Sequence, residues 1–155
     1  MAWALAQSPG LSKLWAAPGS DGMSPLAERV PVDPLDPAAV TRFCREKAVE
    51  LLVIGPEAPL AAGVADAVRA SGVPVFGPGK AGARLESSKS FAKDFMLRHG
   101  LPTARAIIGD ARAAKAAARG FNGRCAVKAD GLAGGKGVIV CSNLAQAEAA
   151  VEALS

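Results

Sequence analysis

Late in the chain a lysine, a run of glycines and a second lysine stand close together, in Val127-Lys128-Ala129-Asp130-Gly131-Leu132-Ala133-Gly134-Gly135-Lys136-Gly137-Val138. Glycines let backbone N–H groups approach an oxyanion without Cβ obstruction, and lysine adds a compact positive charge. Such a loop suits a polyphosphate. The glycines lie between two apolar runs that read as strands, and the order G-x-x-x-x-G-K-[ST] is absent. The segment is therefore neither a Walker loop nor a dinucleotide fingerprint, both of which feed a helix. The pattern alone leaves a second reading open, a surface hairpin whose lysines are merely solvated.

The elements that must hold this loop follow from periodicity. Strands are expected over Cys125–Lys128 and Val138–Cys141, with a helix over Ala111–Ala118 capped by Asp110 and a last helix from Asn143, where Gln146 suggests a capping box. Leu144, Ala147, Val151 and Leu154 supply that helix's apolar face. Further upstream, Ala104–Ile108 reads as a strand, and Ala81–Leu85 and Ser88–Arg98 as successive helices. In the second of these, Phe91 and Phe95 recur at four residues, as do Lys89 and Lys93 on another side. The first half reads as helix, strand, helix, strand: Asp36 and Pro37 open a helix lined by Val40, Phe43 and Cys44; a strand covers Val49–Ile54; a helix spans Pro59–Ala70; and a strand covers Val73–Phe76. That alternation predicts an α/β fold on an open, mostly parallel sheet. Gly55-Pro56-Glu57-Ala58-Pro59-Leu60 follows a strand, where open α/β sheets place ligands. Glu57 could meet an amine or a ribose hydroxyl there, or serve only as a helix-start carboxylate. His99, before Gly100, reads as a helix-end dipole partner.

Composition bounds the function. The 155 residues are 50% hydrophobic, with 17 Gly and 11 Pro, which favours a folded chain over a disordered one. The net charge of +4 comes from scattered lysines and arginines, and aromatics reach only 5% with no tyrosine, so a nucleic-acid partner is not expected. Cys44, Cys125 and Cys141 have no metal-ligand spacing and read as buried thiols of a reducing compartment. No signal leader and no membrane-length apolar run is visible, so a cytoplasmic protein without a membrane partner is expected.

Lys128–Val138, Leu85-Glu86-Ser87-Ser88-Lys89-Ser90-Phe91-Ala92-Lys93-Asp94-Phe95, Gly55–Leu60, Phe76-Gly77-Pro78 and Arg98–Thr103 together resemble, in order and spacing, the phosphoribosylamine-glycine ligases (glycinamide ribonucleotide synthetases) of the ATP-grasp superfamily. The resemblance runs through nearly the whole chain. It implies an ATP-dependent ligation of glycine to 5-phosphoribosylamine in purine synthesis, through a glycyl phosphate that the amine attacks, with ATP and Mg as cofactors. It further implies that Lys89 and Lys128 hold ATP, that Asp130, Gly131, Leu132, Ala133, Gly134, Gly135, Lys136 and Gly137 form the lid loop over its phosphates, and that Gly55, Pro56, Glu57 and Pro59 face the substrates. Lys93 shares the face of Lys89, but a solvated helix lysine is the commoner case.

The expected organisation is an amino-terminal, Rossmann-like substrate domain over 1–78, the start of a central ATP-grasp domain over 79–103 and an incomplete lid over 104–155. Against the family pattern the chain opens within the first helix, Met1-Ala2-Trp3-Ala4-Leu5-Ala6-Gln7-Ser8, without the first strand and its glycine turn. It also ends before the acidic residues that hold magnesium. No catalytic set is complete and no metal ligands are expected in it. Such a chain alone is expected to make no ligase product. The other readings are a short non-catalytic protein that binds ATP or a ribose phosphate, one half of a ligase whose remainder is separately encoded, and a different ATP-grasp ligase or carboxylase.

Overall fold

The computed structural model describes residues 1–155 and divides into two compact units, Met1–Ala83 and Arg84–Ser155. In the first unit a single helical turn, α1 (Ala2–Leu5), precedes a parallel pair, β1 (Trp15–Ala16) and β2 (Glu28–Arg29). Glu28 N–H donates to the Leu14 carbonyl and Val30 N–H to that of Ala16. Two-residue strands have no legible period, which is why sequence reasoning does not find this pair.

α2 (Pro37–Glu46) starts where the Asp36-Pro37 signal places it: the Asp36 carboxylate accepts from Ala38 N at 2.9 Å and Ala39 N at 3.1 Å. Its end displaces the expected start of the next strand. Val49 N–H donates to the Cys44 carbonyl, and Ala48 takes a positive φ of 49°, so Val49 closes the helix and does not begin a strand. β3 is consequently Leu52–Val53, not the expected Val49–Ile54, and its ladder bonds run from Leu52 N to Pro74 O and Ile54 N to Phe76 O. The helix expected over Pro59–Ala70 is two helices, α3 (Glu57–Ala62) and α4 (Val64–Ala70), because Gly63 at φ +92° ends the first in a left-handed cap. β4 (Val75–Phe76) returns parallel to β3, with Leu52 opposite Val75.

The α/β class with parallel pairing is what the structure has, as two separate two-stranded ladders. Val40 and Cys44 of α2 pack on Val64 and Val68 of α4, with Leu52, Ile54, Val73 and Val75 beneath them. Burying Val68 completely is worth about 1.5–3 kcal/mol. A second cluster joins Leu60, Ala65 and Ala83.

α5 (Lys80–Ser87) and α6 (Lys89–Arg98) follow in immediate succession. Ala104–Ile108 forms no strand: it pairs with nothing, and Ile107 and Ile108 are more than half exposed. β-branched composition supplies propensity, but a strand also needs a hydrogen-bonding neighbour. In the rest of the second unit, α7 (Ala111–Gly120) is capped by Asp110, and β5 (Cys125–Lys128) pairs antiparallel with β6 (Val138–Cys141). α8 (Leu144–Leu154) is capped by Asn143, whose side chain accepts from Gln146 N. Gln146 Oε1 accepts from Ser142 N and Ser142 Oγ, one residue upstream of a reciprocal capping box. Ala147, Ala150 and Val151 are the buried face of α8, while Leu144 is exposed. Ala118, Ala147 and Ala150 pack on Cys125, Val127, Ile139 and Cys141, the inner face of the hairpin.

Candidate functional site

Period-two alternation sends the other hairpin residues outward: Ala126, Lys128, Val138 and Val140 are exposed, Val140 by 82%. Lys128 stands opposite Val138 and Ala126 opposite Val140, so this face carries an apolar patch with an amine at its loop end. Ala129 N–H donates to the Gly137 carbonyl at 2.9 Å, extending the ladder into the loop by one bond. Beyond that bond the tip is a four-residue turn. Lys136 N–H donates to the Ala133 carbonyl at 2.9 Å, and the two central residues, Gly134 and Gly135, have φ of +54° and +81°, the type I′ pattern that glycine permits. A Cβ added at Gly131, Gly134 or Gly135 would meet nothing within 4 Å, so their backbone faces open space. Leu132 and Lys136 are exposed. Gly137 is buried, and a Cβ there would lie 2.5 Å from Ala133 Cβ.

The root of the loop is held differently from its tip. Asp130 Oδ1 accepts from Lys89 N at 2.6 Å, Ser90 N at 3.3 Å and Gly131 N at 2.9 Å, while Oδ2 accepts from Ser88 Oγ at 3.2 Å and from Ser90 Oγ. Ser88, the N-cap of α6, accepts from Phe91 N with its own hydroxyl. The first three amides of α6 are thus satisfied by Asp130 and Ser88. The Ser90 hydroxyl, aided by the backbone amides of Gly131, Ser90 and Lys89 and opposed by partial burial, holds the Asp130 carboxyl down to about 2. Lys89 reaches back to the same loop: its Nζ donates to the Gly131 carbonyl at 2.7 Å. The structure therefore brings Lys89, Asp130 and Gly131 together. Sequence reasoning names these three but misses Ser88 and Ser90 as their partners; the signal was an N-cap serine with a second hydroxyl two residues on.

Lys93 is engaged elsewhere, donating to the Thr103 hydroxyl at 2.5 Å and to the Ala104 carbonyl at 2.9 Å, so it ties the end of α6 to the following segment. His99 caps α6 and lies against Phe95, ring centroids 4.4 Å apart. Arg84 lies over the Phe91 ring at 3.8 Å.

In the first unit, Gly55 and Pro56 are exposed after β3, and Glu57 is exposed in the first turn of α3. Pro59 is buried with Leu60. Met1 covers Gly55 closely, its Cε 2.8 Å from where a Cβ would stand. The neighbouring strand end is braced by two residues that sequence reasoning does not single out. Arg69 donates to the carbonyls of Val75 and Gly77, and Asp66 accepts from Lys80 N at 2.7 Å. No helix is long and apolar enough to cross a membrane. No group of three or more His, Cys, Asp or Glu side chains that could hold a metal ion is present.

The chain thus carries a parallel α/β unit and, after it, an antiparallel hairpin with a glycine-lysine loop. Residues 1–86 match the family described as phosphoribosylglycinamide synthetase, N domain, and residues 87–155 match its ATP-grasp (A) domain. The chain belongs to the phosphoribosylglycinamide synthetase family. It is 50% identical over 154 residues to phosphoribosylamine–glycine ligase of Mesorhizobium japonicum, and 46% identical over 155 residues to that of Vibrio parahaemolyticus. These alignments take in 99% and 98% of the chain but 36% of each relative, so the chain spans about a third of their length. The crystal structure of phosphoribosylamine–glycine ligase from Thermotoga maritima superposes with a TM-score of 0.71 at 29% identity, over 97% of this chain and 34% of that one. The biotin carboxylase domain of Hydrogenobacter thermophilus 2-oxoglutarate carboxylase, solved with MgADP, shares the fold at a TM-score of 0.70 and 22% identity, over 92% of this chain and 35% of that one.

Proposed function

We propose that residues 1–155 supply the substrate-side unit and the phosphate-covering hairpin of an ATP-dependent phosphoribosylamine–glycine ligase. The observation that carries this reading is the outer hairpin face, where exposed Val138, Val140 and Ala126 adjoin Lys128 and an open type I′ glycine tip bearing Lys136. An apolar platform suits a flat base. Amines and unobstructed amides suit the phosphates attached to it. Lys128 and Lys136 neutralise phosphate charge, and Lys89 supplies a third amine at the loop's root once it leaves the Gly131 carbonyl. The solvated-tip reading accounts for the lysines but not for three apolar residues left uncovered beside them.

In the ligation, a glycine carboxylate oxygen takes the γ-phosphoryl group and ADP leaves. The amine of phosphoribosylamine then attacks the glycyl carbonyl carbon, and inorganic phosphate departs. Charge stabilisation by fixed amines is the part of this chemistry that the hairpin provides. Gly55, Pro56 and Glu57, at a strand end of the first unit, are the proposed substrate-facing segment, with Pro59 holding α3 beneath them. Residues 1–155 by themselves are expected to bind nucleotide and release no product.

A titration of the isotope-labelled chain with MgATP tests the reading. The amides of Lys128–Val138 and of Lys89 should shift together, and K128A should weaken binding about tenfold, the loss of one charge-assisted phosphate contact. An unmoved hairpin at millimolar nucleotide would overturn it.

A further inference from the structure

We propose that Asp130, resting on the nucleotide reading above, is a positioning residue and not a nucleotide ligand: it clasps the root of the glycine-rich loop to the start of α6. Both of its oxygens are already filled, by three backbone amides and two serine hydroxyls drawn from the loop and the helix. The amides that a phosphate could take at the beginning of α6 are occupied by this carboxylate and by Ser88 Oγ. A second phosphate-like anion has no donors left there. The same clasp places Lys89 at the loop, because its backbone amide binds Asp130 while its amine rests on the Gly131 carbonyl.

Two mechanical regimes follow within one short segment. From Asp130 to Gly131 the chain is hydrogen-bonded to α6, whereas Gly134 and Gly135 lie exposed at the turn. The tip can settle on phosphates while the root, and with it the Lys89 backbone, stays registered and leaves the Lys89 amine free to turn toward them. Ser90 Oγ provides the largest single contribution to stabilising the Asp130 carboxylate, so Ser90 belongs to the positioning device although the proposal puts no nucleotide on it.

The test uses the full 155-residue chain with D130N, S90A, S90T and the double variant D130N/S90A. Without nucleotide, the Gly131 and Ser90 amides should be protected from hydrogen exchange in the parent and in S90T, and lose protection in D130N. With MgATP, D130N and S90A should each weaken binding about tenfold, S90T should restore it, and the double variant should be no worse than D130N, because one clasp is broken once. Weakening by D130N with S90A unchanged would make Asp130 a direct ligand and overturn the proposal, as would D130N with parent affinity. Failure of every variant and the parent to bind MgATP overturns the nucleotide reading, whereas unprotected Ser90 and Gly131 amides in the parent overturn the clasp. The exchange result separates the causes, since the clasp is read there without any nucleotide.

Discussion

Replacing Gly137 by alanine tests the packing of the loop through a single methyl group. The added Cβ would lie 2.5 Å from Ala133 Cβ and 3.6 Å from Ala129 Cβ. Non-bonded carbons rest about 3.5–4.0 Å apart, so the first contact must open by about 1 Å. Gly137 is held by its carbonyl, which accepts from Ala129 N, so the displacement falls on Ala133. Ala133 begins the type I′ turn, and moving it carries Gly134, Gly135 and Lys136 away from the hairpin. A solvent-facing tip yields more readily than a core, which places the stability cost near the low end of overpacking, about 1 kcal/mol. A displacement of about 1 Å in the loop proposed to cover the phosphates should weaken ATP binding about tenfold. G134A is the control. Its φ of +54° strains any L residue by about 1 kcal/mol, yet nothing lies near the new methyl, and strain common to free and bound forms cancels from the affinity. Thermal unfolding and titration with a fluorescent ATP analogue read both variants. Parent-like affinity in G137A, or an equal loss in G134A, would refute the reasoning.

Gly123 has φ +72°, and its Cβ would enter the backbone at Asn143 and Leu144, so G123A should cost about 3 kcal/mol in denaturant unfolding, against about 1 kcal/mol for G72A, where φ is +90° and space is open. Asp130 is depressed to about 2 in the folded chain, so its contribution is complete above the ordinary carboxylate value of 3.8 and is lost as pH falls from there through 2. The full shift corresponds to about 2.5 kcal/mol, which solvent at this exposed carboxylate reduces to about 1 kcal/mol; the Ser90 and Gly131 amide resonances should titrate with a midpoint near 2, and a midpoint near 3.8 would show that the clasp stabilises nothing. Burial pushes the Cys44 thiol up and leaves it 2% exposed, so a disulfide reagent at pH 8 should modify the half-buried Cys125 first and Cys44 only on unfolding.

The sequence made legible those features that local chemistry determines. Asp36, Asp110 and Asn143 cap the helices they precede, because an N-cap needs only its own side chain and the next few amides. The hairpin strands fall at Cys125–Lys128 and Val138–Cys141, since antiparallel partners joined by a short loop carry their pairing with them. What long-range pairing decides was not legible. Ala104–Ile108 has strand composition without a neighbour, and β1 and β2 are too short for any pattern to show. At the site, residue types pointed to Lys128, Lys136 and the glycines. The Asp130 clasp depends on Ser88 and Ser90, some forty residues away in sequence, and only folding brings them to the carboxylate. The stretch Pro59–Ala70 was read as one helix, and Gly63 within it, in a left-handed conformation, makes two.

The most direct test of the ligase assignment is to exchange residues 1–155 for the aligned segment of the Mesorhizobium japonicum phosphoribosylamine–glycine ligase, to which they are 50% identical, and to measure glycine- and ATP-dependent product formation. The chimera should retain activity, K89A and K128A introduced in it should each lower kcat/KM at least about a hundredfold, and the 155-residue chain alone should form no product. A soluble, folded chimera that binds ATP but is inactive, or one indifferent to both lysine changes, would contradict the account.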